Sequence, residues 1–89
     1  MKCVISVLGK DRKRIVATVA TVLADCGANI DDISQTLLDD IFSMTMLVTL
    51  EPQEADFNCV QEKLDEAASA LGVQIIIQRE DVFQSMYTI

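Results

Sequence analysis

The residues best equipped for chemistry stand near the start of the chain, in Gly9-Lys10-Asp11-Arg12-Lys13-Arg14-Ile15. Through Arg14 there are five cations (Lys2, Lys10, Arg12, Lys13, Arg14) against one acid, a balance of +4. The remaining residues carry thirteen acids against Lys63 and Arg79, a balance of −11, and the two parts give the net charge of −7. The cluster falls between a strand-like apolar run and a helix-like one, so its cations occupy a first helical turn. There the helix's own partial positive charge makes each exposed cation unfavourable by ~0.3–1 kcal/mol. A local rule broken in this way points to function. The chemistry it offers is an anion site, in which helix N–H groups are joined by Arg12 and Arg14. The plainer reading is a solvated basic tip.

Other reactive types are sparse. Histidine, the commonest general base, is absent, and no serine or threonine has an evident activating partner. Cys3, Cys26 and Cys59 are odd in number and form no C-x-x-C pair, which speaks against a disulfide framework or a zinc site. Cys3 and Cys26 fall on apolar stripes and are expected in the core, with Cys59 partly exposed. The pairs Asp31-Asp32 and Asp39-Asp40 read as surface turn chemistry, because adjacent strand residues point to opposite faces and rarely share one ion. Glu54, Glu62, Asp65 and Glu66 read as a solvated helix face. No metal and no cofactor are expected.

The elements that must position these residues follow from periodicity. Residues 3–8 are a nearly continuous apolar run ended by Gly9, the pattern of a central strand covered on both faces. From Asp11, a plausible N-cap, Ile15, Val19, Val22, Leu23 and Cys26 recur at helical spacing, and Gly27 stands where a left-handed residue ends a helix. Residues 29–38 are mixed and suit an edge strand, and Asp39-Asp40 suits the turn after it. Residues 41–50 alternate cleanly, so Phe42, Met44, Met46, Val48 and Leu50 should meet the helices. After Pro52, Phe57, Val60, Leu64, Ala67 and Leu71 step by three and four up to Gly72. Residues 73–78 are β-branched and strand-like. From Asp81, Val82, Phe83, Met86 and Ile89 fall at helical intervals, favouring a short capped terminal helix, although a strand also fits. The order β-α-β-β-α-β predicts an α+β, ferredoxin-like sandwich, a four-stranded antiparallel sheet with two helices on one face.

With 89 residues, 51% of them apolar, the chain suits one domain over 1–89. A pI near 4.2 argues against a nucleic-acid partner. No apolar run reaches the length of a membrane span, and the N-terminus lacks the pattern of a signal peptide. The expected compartment is the cytoplasm, with no membrane partner.

Three separated stretches, Gly9-Lys10-Asp11-Arg12…Ile15, Cys26-Gly27-Ala28-Asn29-Ile30 and Asp32-Ile33-Ser34-Gln35-Thr36, together resemble an ACT domain. The likeness extends to the tail Glu80-Asp81-Val82-Phe83…Met86. It is greatest to stand-alone single-ACT proteins of uncharacterised function and reaches the ACT modules of the glycine cleavage system repressor. It implies a non-enzymatic regulatory module that forms a homodimer side by side and binds an amino acid or other small anionic metabolite at Asp11, Ile15, Asn29 and Ile30. Asn29 is equally well explained as a left-handed turn residue after Gly27. Where ACT modules usually carry Pro-Gly, this chain has Lys13-Arg14. Either the amino-acid site is lost, or Arg14 grips a carboxylate or phosphate in a bidentate way. Two alternatives stand beside sensing: a ligand-free assembly module, and an acylphosphatase-like hydrolase using an arginine and Asn29. The glycine-bounded phosphate loop of that hydrolase family is absent.

Overall fold

A computed structural model describes residues 1–10, 12–51 and 56–82 of the chain. Its elements run β1 (Lys2–Gly9), α1 (Arg12–Asp25), β2 (Ala28–Leu38), β3 (Ile41–Leu50), α2 (Phe57–Leu71) and β4 (Gln74–Arg79). The sheet order is β2-β3-β1-β4, with every pairing antiparallel. β3 is thus inserted between the two strands that α1 connects, which is the split βαβ arrangement expected of a ferredoxin-like sandwich.

The alternation of β3 does what its period predicts. Phe42, Met44, Met46, Val48 and Leu50 are all buried under the helices. Cys3, Ile5 and Val7 of β1 and Ile75 and Ile77 of β4 complete the sheet side of the core, and Ile15, Val19, Leu23, Val60 and Leu64 supply the helix side. Val22 is only partly buried at the margin of the α1 stripe. Both helices end as their glycines require. Gly27 (φ 76°) and Gly72 (φ 69°) are left-handed, and the Val73 N–H bonds back to the Ala68 carbonyl at 3.0 Å, closing a Schellman motif. Asp39 (φ 57°) makes the β2–β3 turn.

β1 is central, and because both helices pack on one side of the sheet its other face is left open, with Leu8 and the neighbouring Ile76 exposed as two helices on one face require. Two readings need correction: Val4, which shares that open face and would be expected to leave an apolar patch there, is buried. Asp31 and Asp32 lie within β2 rather than in a turn. The register passes from Ile30↔Val48 to Asp32↔Leu47, so Asp31 is the extra residue of a β-bulge. That single insertion puts Ile30 and Ile33, which strict alternation would place on opposite faces, on the helix side together.

β2 is the expected edge strand, and its second half escapes the helices. Ile33, Leu37 and Leu38 are exposed, the last at 74%. Residues 80–82 are helical, beginning one residue before the Asp81 cap that was expected, and Asp81 instead bonds the Val82 N–H and pairs with Arg79. Phe83, Met86 and Ile89 lie outside the described residues. Among the described residues no helix is long and apolar enough to cross a membrane.

Candidate functional site

Where β1 leaves the sheet, the chain must turn onto α1 directly above the turn from α2 into β4. Gly9 makes that approach possible. A Cβ at this position would lie 2.5 Å from Val73 Cγ1 and 2.7 Å from Ile15 Cδ1. The three chain segments that converge there leave an open cleft of about 680 Å³, within the size range of small-molecule sites. Leu8, Ile15, Ile41, Leu71 and Val73 give it apolar walls, Gln74 a polar side chain, and Lys10 and Arg14 its positive charge. The first turn of α1 contains no acidic residue. Lys10 makes one exposed contact, 3.7 Å from Asp40 across the β2–β3 turn, which is worth little in water. The arrangement suits a small molecule with an anionic group at the basic rim and an apolar part against the walls.

The expected site residues divide into two groups. Arg14 and Ile15 both line the cleft. Asp11 and the side chain of Arg12 lie outside what the structure describes, although Arg12 opens α1. Asn29 and Ile30 are elsewhere. Asn29 pairs with Thr49, which pairs with Lys2, whereas Gly9 pairs with Phe42, so Asn29 sits at the opposite end of the sheet from the cleft. The 14 residues of α1 alone account for roughly 21 Å of separation at about 1.5 Å per residue. Within one protomer the first loop and the turn after α1 cannot touch the same small molecule.

Asn29 is also engaged. Its Nδ2 donates to Asp31 Oδ1 at 2.7 Å, and the Thr49 hydroxyl donates to Asp31 Oδ2 at 2.5 Å. The Thr49 hydroxyl above all holds the Asp31 carboxyl below its ordinary value, against an opposing effect of desolvation, with the Asn29 amide and then the Lys2 charge adding to the lowering. The bulge turns Asp31 toward these partners. Ile30 faces the helices and packs against the core, a structural role. Sequence reasoning missed Asp31 as the centre of this cluster, and it missed Ile41 and Leu71 through Gln74 as cleft walls. A signal for the second group existed in Gly9 and Gly72, two glycines that end elements on the same side of the fold. Among the described residues no three potential ligands gather in a way that would hold a metal ion.

Comparison with known proteins agrees with the topology. The ACT domain family profile matches residues 2–78. A UPF0237 protein of Methanocaldococcus jannaschii is 47% identical over 88 residues, spanning 99% of this chain and 98% of that protein. One from Clostridium acetobutylicum is 45% identical over 86 residues, spanning 97% of each. Among solved structures, an ACT domain protein from Streptococcus pneumoniae matches with a TM-score of 0.80 at 41% identity, covering 93% of both chains. A putative glycine cleavage system transcriptional repressor matches with a TM-score of 0.76 at 22% identity, over 86% of this chain and 44% of that one, a likeness of fold alone. On the sequence match and the shared architecture together, the chain belongs to the ACT domain family.

Proposed function

We propose that the protein is a non-enzymatic regulatory module that works as a homodimer and senses a small anionic metabolite, an amino acid or a compound of similar size. The cleft carries this reading: apolar walls for a side chain, with Lys10 and Arg14 at the rim for a carboxylate or phosphate. The bare β2 edge supports the dimer, through pairing with the β2 of a second copy. An edge strand presents unpaired backbone groups, and this one adds exposed Ile33, Leu37 and Leu38. Antiparallel pairing about a two-fold axis would reverse the second copy. The Asn29 end of one β2 then comes level with the Lys10-to-Arg14 end of the other, and the two halves of the expected site meet across the interface. Arg14 in this reading replaces close backbone approach by a side-chain grip.

The test is a thermal-shift screen with free amino acids and phosphorylated metabolites, run with light scattering at tens of micromolar. A ligand at a hundred times its dissociation constant should stabilise by roughly 2.7 kcal/mol. Arg14→Ala should abolish that shift and leave the dimer intact. A dimer that no ligand stabilises would instead identify an assembly module, a reading that the apolar β2 edge also supports, and a monomer without ligand response would refute both. The hydrolase alternative is disfavoured by the separation of Arg14 from Asn29 within a protomer, and steady turnover of acetyl phosphate would reinstate it.

A further inference from the structure

The cleft beside Gly9 gathers aliphatic surface and positive charge at one end of the sheet. Leu8 lies near the end of β1 and Ile41 opens β3, and these two walls are 46% and 44% exposed; Val73, which leads into β4, is a third. Gly9 adds no side chain, and a Cβ there would run into Val73 and Ile15. A ligand chain laid along these walls removes them from water, which favours an aliphatic one. Among the described residues that line the cleft, the charged ones are Lys10 and Arg14. They stand at the entry to α1, whose first N–H groups add positive potential of their own. An anionic head is drawn by all three sources, and an ammonium is repelled by all three. Two carboxylates that could answer an ammonium are already engaged. Asp40 stands 3.7 Å from Lys10, and Asp31, which β2 pairing would bring in from a second copy, accepts a hydrogen bond from Asn29 on one oxygen and from Thr49 on the other. Gln74, opposite Leu8 in the register of β1 with β4, contributes a neutral amide.

Resting on the reading of this cleft as a sensing site, we infer that its ligand is an aliphatic carboxylate that carries no ammonium group. The carboxylate meets Lys10 and Arg14, and the chain runs along Leu8, Ile41 and Val73. An α-amino acid with the same chain holds its ammonium on the carbon next to the carboxylate, inside the same positive field, and is the weaker ligand. An alkylamine offers the chain with the wrong charge and is rejected. The cations that break the dipole rule at the start of α1 thereby choose between a metabolic acid and the amino acid of the same skeleton.

The experiment titrates the full chain calorimetrically with probes of one skeleton: hexanoate, L-norleucine and hexylamine, with octanoate as the longer acid. Hexanoate should bind more tightly than L-norleucine by about five- to tenfold, the size of one like-charge contact at about 4 Å in water. Octanoate should gain up to about fourfold for each added methylene that reaches the apolar walls, and hexylamine should not bind. Arg14→Ala should weaken both acids, and Ile41→Ser, a change at an exposed side chain, should remove most of the gain with chain length. Gln74→Glu places a carboxylate in the cleft and should narrow or reverse the preference for hexanoate over L-norleucine. Asp11 lies outside the described residues, so the parent chain, with Asp11 in place, sets the comparison. L-norleucine binding as tightly as hexanoate or more so overturns the inference and leaves the sensing reading standing. Acid binding that survives both Arg14→Ala and Ile41→Ser overturns it by placing the ligand elsewhere. Silence of all four probes overturns it as well, and the sensing reading falls with it only if the wider screen of amino acids and phosphorylated metabolites is also silent.

Discussion

Replacing Gly9 with alanine is expected to destabilise the domain although it adds a single methyl group. Gly9 has no left-handed backbone, so alanine is conformationally acceptable there, and the reduced freedom of the unfolded chain would by itself stabilise by about 0.4–1 kcal/mol. Space opposes this. The new methyl would stand 2.5 Å from Val73 Cγ1, 2.7 Å from Ile15 Cδ1 and 3.1 Å from Val73 Cβ. Ile15 is fully buried and has little room to turn, and Val73 is β-branched and stiff about χ1. Forcing one methyl into such a contact costs about 1–3 kcal/mol. The balance is a loss of about 1–2 kcal/mol, which lowers the melting temperature of a domain this size by roughly 4–16 °C. Thermal unfolding of the parent, Gly9→Ala, Val73→Ala and the double variant checks the cause as well as the size. If the clash is responsible, the double variant should be more stable than the two single losses predict, by at least about 0.5 kcal/mol of coupling. A Gly9→Ala protein that melts at or above the parent temperature, or a strictly additive cycle, refutes the reasoning.

Two further outcomes follow from the edges of the fold. Leu37→Lys changes an exposed side chain and should leave monomer stability within about 0.5 kcal/mol, yet it places a charge on each side of a β2–β2 contact and should shift the protein to monomer in sedimentation velocity; a variant that remains dimeric would place the interface elsewhere. Asp31 is depressed in the folded state by the Thr49 and Asn29 hydrogen bonds, so its contribution is present above its ordinary unfolded value and is lost as pH falls through the lower folded value. Asp31→Asn should therefore flatten the acid limb of a plot of melting temperature against pH, and parallel curves for the two proteins would show that the cluster has no linkage to stability.

The elements were legible because each is governed by a local rule that nothing in the tertiary structure overrides. The even residues of 41–50 had one buried face available, the stripe from Ile15 through Leu23 had one core to meet, and Gly27 and Gly72 stand where a left-handed turn ends a helix. The bulge at Asp31 was not legible. A period of two has no symbol for an inserted residue, and Ile30 and Ile33 looked like members of opposite faces until the register with β3 was known. Cleft walls such as Ile41 and Val73 come from segments far apart in the chain, each unremarkable within its own element.

The candidate site was only half legible, for a different reason: Arg14 and Ile15 line the cleft, but Asn29 and Ile30 lie away from it. Its residue types were sound, but a list of motifs in order carries no distances. Lys10 to Arg14 and Asn29 flank one helix, and a helix of 14 residues necessarily holds its two ends apart. The length of α1 was itself readable from the spacing between Asp11 and Gly27, so this separation was available before any coordinates. Two conclusions are then open. Either the basic cleft works with its own walls and Asn29 serves only to orient Asp31 at the bulge, or the two ends are reunited by a second copy. The exposure of Leu37 and Leu38 beside the basic end of the sheet favours the second, because an apolar edge left bare next to half of a site is what a two-fold axis would complete.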